Sequence, residues 1–143
     1  MFTDAKTHRT QLYFSHTTTE VLQYFKEYKA FIENQTNNKL KRFQSNGGGE
    51  YINEPSKMYC AKAGIIMEQT ALYSPAQNGI AERVNRTLLE HARAMIFSKN
   101  ISKHLWPEAI VYACYIKNRS PTRVLGSNTT PYEVFHKRKP NIF

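Results

Sequence analysis

The sequence predicts an α/β fold in which short strands alternate with helices in the order β, α, β, α, β, followed by two or three further helices. Three observations carry this. Apolar residues recur at three- and four-residue steps in long segments, short aromatic and aliphatic runs stand between those segments, and glycine, proline and asparagine punctuate the boundaries.

The run "TQLYFSH", Thr10 to His16, suits a strand. A helix follows, with Thr18 or Thr19 as cap and Val21, Leu22, Phe25, Tyr28, Phe31 and Ile32 forming one apolar stripe until "NQTNN" ends it. "LKRFQS", Leu40 to Ser45, reads as a second strand closed by Gly47, Gly48 and Gly49. Pro55 fits the first turn of a short helix reaching about Ala63, with Gly64 placed to end it. "IIM" is a brief third strand, and residues Glu68 to Asn78 read as a loop because Pro75, Asn78 and Gly79 break regular structure.

A long helix then carries Ile80, Val84, Leu88, Ala92, Met95 and Ile96 on its core face, while Arg83, Arg86, Glu90 and Arg93 share another. A further helix runs from near Pro107 to about Asn118 and buries parts of Trp106, Ile110, Ala113, Cys114 and Ile116. Thr130 and Pro131 are the expected cap and first residue of "PYEVFH". Nothing in the chain marks a linker or a repeat.

A chain of 143 residues accommodates one domain that buries roughly two-thirds of its unfolded surface. No stretch approaches the about eighteen apolar residues of a membrane span, and polar residues follow Met1 where a secretory leader would be apolar, so an intracellular setting is expected. Cys60 and Cys114 have no metal-ligand spacing with each other or with a histidine and are expected to be buried thiols. The net charge of +9 favours a polyanionic partner, nucleic acid first.

Cleavage or transfer of a phosphodiester with a pair of Mg²⁺ ions needs clustered carboxylates, since hard cations require oxygen ligands. Glu82 follows a polar loop and has Arg83 and Arg86 beside it to reach phosphates. It also suits an ordinary first-turn glutamate favoured by the helix dipole, with Arg86 one turn on as its surface ion-pair partner. On the residues alone the ordinary structural reading is the stronger.

The runs "QSNGGGEYIN", "YSPAQNGIAERVNRTLLEHARAMI", "LWPEAIVYACYIKNRSPT" and "TPYEVFHKRKPNI", with "FTDAKTHRTQLYF" before them, together resemble the integrase core of a copia-type retrotransposon Pol polyprotein. The resemblance implies an RNase H-like integrase fold, a mixed sheet flanked by helices, with the RNase H-like part at about 1–100 and a C-terminal helical extension at about 101–143. It implies a D,D,E triad holding Mg²⁺ or Mn²⁺, DNA as partner, a homo-oligomer as in integrases, no membrane association and a nuclear location.

The second aspartate of that triad falls on Asn46 and the glutamate on Glu82, with thirty-five residues between them as in the family pattern. The first aspartate belongs to a strand upstream of the segment that "FTDAKT" resembles, and Asp4 matches a non-catalytic position. The domain is therefore expected to be partial, lacking the first strand and most of the second, with "TQLYFSH" unpaired and "LKRFQS" left with an open edge. The functional expectation is an inactive integrase remnant of DNA-binding heritage, with a weak, incomplete metal site at Glu82. The alternative is a transposon-derived, non-enzymatic module that binds DNA or protein. Arg83, Arg86 and Arg93, with Gln77 and Asn78 in the preceding loop, are the expected nucleic-acid contacts, and "HKRKP", His136 to Pro140, is a lesser one.

Overall fold

The first residues turn back on themselves because of Asp4. In a computed structural model that describes residues 1–46, 48–70, 75–126 and 128–141, and only the backbone of 75–78, the Asp4 carboxylate accepts from the Thr7 amide at 3.0 Å and the Thr7 hydroxyl at 2.5 Å. The Asp4 amide donates to the Arg9 carbonyl at 2.9 Å and the His8 amide to the Asp4 carbonyl at 2.8 Å. A short acidic side chain that satisfies the amides just after it is how aspartate stabilises such turns. The turn joins β1 (Phe2–Thr3) to β2 (Thr10–Gln11) in an antiparallel pair, Phe2 opposite Gln11 and Thr3 opposite Thr10.

Two expectations are corrected here. The run from Thr10 to His16 has a pairing partner, and only Thr10 and Gln11 of it are strand, because β1 offers two residues and a ladder ends where its partner does.

The chain divides into two compact units, residues 1–12 with 80–143 and residues 13–79. In the first, the β1–β2 hairpin is held by α4 (Trp106–Arg119). The Asn118 side chain accepts from the Thr10 amide at 2.9 Å and donates to the Thr10 carbonyl at 2.8 Å. Its amide thus plays the part of a neighbouring strand and covers the backbone edge that Thr10 would otherwise present. Lys117 Nζ donates to the His8 carbonyl and, at 2.9 Å, to the Thr10 hydroxyl.

The core of this unit gathers Val84 and Leu88 of α3 (Pro75–Ser98) with Ala113 and Cys114 of α4, and Met1, Leu12 and Met95 pack against it. The apolar stripe predicted for α3 is buried at Val84, Leu88, Ala92 and Ile96, but its first member, Ile80, is exposed. A stripe is buried only where another element covers it, and the cluster begins at Val84. The last helix, α5 (Pro131–His136), starts as its sequence predicts. The Glu133 amide donates to Thr130 Oγ1 at 3.1 Å while the Glu133 carboxylate accepts from the Thr130 amide at 2.9 Å.

In the second unit, α1 (Thr18–Thr36) is capped by Thr17 rather than Thr18 or Thr19. Glu20 decides this: its carboxylate reaches back to the amides of His16, at 2.9 Å, and Thr17, at 3.4 Å, and a capping glutamate works three residues beyond the cap. Phe25, buried on α1, meets the ring of Phe43 at 4.6 Å and the edge of Tyr59 at 6.2 Å. β3 (Arg42–Ser45) pairs in parallel with β4 (Ile66–Gln69), Arg42 opposite Ile66 and Ser45 opposite Gln69. Between them lies α2 (Glu54–Lys62), capped by Asn53 Oδ1 accepting from the Ser56 amide at 2.9 Å and ended by Gly64 at φ 66°. Parallel strands require such a crossover.

The loop expected over Glu68 to Asn78 is shorter than the sequence suggests. Glu68 and Gln69 extend β4 because β3 supplies four residues to pair with, and α3 begins at Pro75, a residue suited to a helical first turn. Residues 71–74 of that loop, with Tyr73 among them, lie outside the described residues.

Candidate metal and nucleic-acid site

Position 46 is set by the end of the parallel ladder. Ser45 is buried, and its carbonyl accepts from both the Thr70 amide, at 3.0 Å, and the Thr70 hydroxyl, at 3.3 Å, so the strand terminus is pinned. Asn46 follows at once and is exposed. Its side-chain oxygen, the side-chain atom through which it would meet a cation, accepts from the Gly48 amide at 3.2 Å in a local turn. Further on, the amides of Tyr51 and Ile52 both donate to the Gly48 carbonyl, at 2.9 and 3.1 Å. Tyr51 packs its ring against Phe43 at 5.9 Å, and burial, aided by the Glu50 charge, pushes its phenol up.

Glu82 is exposed and is the eighth residue of α3. With the helix starting at Pro75, it lies about 10 Å along the axis from the N-terminus, beyond the first turn where the helix dipole acts. The first-turn reading of this residue is thereby removed. The i+4 ion pair with Arg86 is absent among the described residues as well. Arg83, Arg86 and Arg93 are all exposed and share one face with Glu90, as their spacing predicts. From position 83 to 93 the helix rises about 15 Å, roughly four base-pair steps of a duplex. His8, in the same unit, is held below its usual range chiefly by burial, then by Lys117, and more weakly by Arg83, against the upward pull of Asp4.

The side chains of Gln77 and Asn78 lie outside the described residues. Asn46 belongs to one compact unit and Glu82 to the other. Among the described residues no three His, Cys, Asp or Glu side chains cluster so as to hold a metal ion. At the two matched positions the donor set is one carboxylate and one neutral amide already accepting a hydrogen bond. That set does not fit a pair of divalent ions, whose binding rests on carboxylate charge.

Over 121 residues, 85% of the chain, the sequence is 40% identical to the retrovirus-related Pol polyprotein from transposon TNT 1-94 of Nicotiana tabacum. The solved structure of the HTLV-2 integrase catalytic core domain in complex with magnesium, in its trimeric form, matches 94% of the chain and 81% of its own with a TM-score of 0.69 at 14% identity. The fold is that of an integrase catalytic core.

Two further structures agree with this integrase-core fold. The catalytic core domain of BIV integrase matches 89% of the chain and 76% of its own, with a TM-score of 0.59 at 21% identity. A simian T-cell lymphotropic virus intasome in complex with the PP2A regulatory subunit B56 gamma matches 99% of the chain and 48% of its own, with a TM-score of 0.72 at 15% identity. By sequence the chain is a relative of a copia-type Pol polyprotein, and it spans 9% of that polyprotein's length. No protein-family model matches it. Among the described residues no helix is long and apolar enough to cross a membrane.

The structure also displays residues that the sequence did not single out. Tyr112, Tyr115 and Arg119 line one side of α4, and Arg119 meets Tyr132 of α5. Their i, i+3 and i+7 spacing, out of phase with buried Ala113, Cys114 and Asn118, was the available signal.

Proposed function

We propose that this chain is an integrase-core remnant that binds DNA through the exposed arginines of α3 and does not carry out strand transfer. The observation that carries the reading is the amide at position 46, neutral and engaged with the Gly48 amide, where an integrase-type triad calls for a carboxylate. Support for DNA as partner comes from the relationship to a Pol polyprotein, the net charge of +9 and the exposed Arg83, Arg86 and Arg93. Gln77 and Asn78, just ahead of this face in sequence, are proposed as further phosphate contacts. Magnesium, when bound in such a core, activates the attacking oxygen and stabilises the leaving one. Here Glu82 is the one carboxylate proposed to meet such an ion, and only weakly. Self-association and a nuclear location belong to the same proposal.

The test has two parts. Fluorescence anisotropy with a 20-base-pair duplex should give a log affinity falling linearly with log salt. The Arg83→Gln, Arg86→Gln, Arg93→Gln triple variant should flatten that slope by up to about 2.7, at roughly 0.9 per phosphate contact. An unchanged slope would place the DNA-facing charge elsewhere. Strand-transfer and 3′-end-processing assays in Mg²⁺ and in Mn²⁺ should give no product with the chain as it stands or with Asn46→Asp. That variant brings the matched positions only to two carboxylates. Metal-dependent product lost on Glu82→Gln would overturn the claim of inactivity.

A further inference from the structure

α4 and α5 carry an aromatic and cationic row, exposed at Tyr112 and Tyr115 and buried at Phe135, that the α3 face does not use. Tyr112 and Tyr115 are 56% and 43% exposed, and their rings lie 6.0 Å apart and parallel within 3°. The Arg119 guanidinium sits 3.6 Å from the centre of the Tyr115 ring and 4.7 Å from that of Tyr132. Tyr132 in turn meets the His136 ring at 4.3 Å, and His136 meets Phe135 at 4.9 Å, with the Arg9 guanidinium 4.7 Å over Phe135. Each member touches the next, from the exposed surface of α4 to the C-terminal end of α5.

At Arg119 and Arg138 the charge is not paired with acid among the described residues. Arg119 Nε is buried without a hydrogen-bond partner, and Nη1 makes only a long contact, 3.4 Å, to the Tyr115 carbonyl. Glu133, the carboxylate of α5, is engaged at the helix cap by the Thr130 amide and hydroxyl, both at 2.9 Å. His136 is held below its usual range, first by burial and then by Arg9, Arg138 and Arg119, so three guanidinium charges converge on it.

Exposed rings beside cations without acid partners match a ligand that brings both flat bases and phosphates. Bases stack on tyrosine rings and on guanidinium planes, and phosphates satisfy arginine donors in a bidentate way. A duplex keeps its base faces covered, so an exposed stacking surface selects unpaired bases. We propose that this α4–α5 face binds single-stranded nucleic acid, with bases on Tyr112 and Tyr115 and phosphates beside Arg119 and Arg138. This surface is separate from the arginine face of α3, so either proposal can fail alone.

The experiment measures anisotropy of fluorescein-labelled dT20, rU20 and a 20-base-pair duplex against the full chain. Tyr112→Ala removes an exposed ring and leaves the core intact. It should weaken dT20 or rU20 binding roughly tenfold, as loss of one stacked base does, and change duplex binding less than twofold. The tighter of the two single strands identifies the sugar. Tyr112→Phe, which keeps the ring, should bind as wild type does. Arg119→Gln, checked for a native melt, should weaken single-strand binding further when combined with Tyr112→Ala. The α3 triple variant should show the opposite pattern, losing duplex affinity while the tenfold Tyr112→Ala effect on the single strand persists. Unchanged single-strand binding by Tyr112→Ala would overturn the proposal. So would an equal loss on single strand and duplex, or displacement of dT20 by poly-glutamate as effective as that by unlabelled dT20.

Discussion

Replacing Asn118 with leucine should detach the N-terminal hairpin from α4. The Asn118 amide accepts from the Thr10 amide at 2.9 Å and donates to the Thr10 carbonyl at 2.8 Å, with Thr10 1% and Asn118 7% exposed. Leucine has a similar volume and makes neither bond. The buried Thr10 amide then loses its partner, at about 1–3 kcal/mol, while the Thr10 carbonyl keeps only the weaker Cys114 thiol, which donates to it at 3.4 Å. Leucine returns part of that through its own apolar burial, at roughly 25 cal/mol per Å². A net loss of about 2 kcal/mol is expected. For a chain of this size that lowers the melting temperature by about 6 °C, taking roughly 3 °C per kcal/mol. Thermal melts followed by circular dichroism at fixed pH and salt would read it, with Tyr112→Ala as a surface control expected to shift by no more than about 2 °C. Hydrogen exchange should show lost protection at Thr10 and the residues paired with it before any loss in α1. An Asn118→Leu chain that melts within about 2 °C of wild type would refute the reasoning, because Thr10 would then have another way to satisfy its backbone.

Two further outcomes follow from the same unit. Burial pushes the Lys117 ammonium down to about 8, with Arg9 adding to the shift and Cys114 opposing it. Between about pH 8 and the ordinary lysine value of 10.5 the unfolded chain binds the extra proton, so this group makes stability rise with pH across that window and lower it below. The difference in unfolding free energy between wild type and Lys117→Met, measured by urea titration at steps from pH 7 to 10, should therefore move in favour of wild type as pH rises, and a flat difference would contradict it. Leu88, 2% exposed in the core cluster, should cost about 3–5 kcal/mol on truncation to alanine through lost burial and the cavity left behind, read as a lower urea midpoint with an unchanged slope.

Local chemistry made much of this molecule legible in the chain. The stripe from Val84 to Ile96, the Thr130 and Glu133 capping box, the Asn53 to Gly64 helix and the parallel strands on either side of it are encoded within windows of a few residues or one crossover. Where reading failed, the deciding atoms were distant or the signal ambiguous. Pro75 breaks a helix interior but opens a helix equally well, so a proline in a polar run left the start of α3 undecided and with it the depth of Glu82 along the axis. Thr17 rather than its neighbours caps α1 because of where the Glu20 carboxylate reaches, a choice among three adjacent threonines that composition leaves equal.

By itself the sequence determined the amide at position 46, the carboxylate at position 82, the excess of positive charge and the amphipathic faces that place arginines at 83, 86 and 93. Those properties belong to single residues or to helical periodicity, and no neighbour from elsewhere in the chain changes them. Only the tertiary structure decided that the Thr10 edge is covered by an asparagine 108 residues away. It alone decided that Arg119 of α4 lies against Tyr132 of α5. Hydrogen-bond satisfaction and ring contact depend on which atoms meet within about 3–5 Å in space, and long-range packing sets those distances.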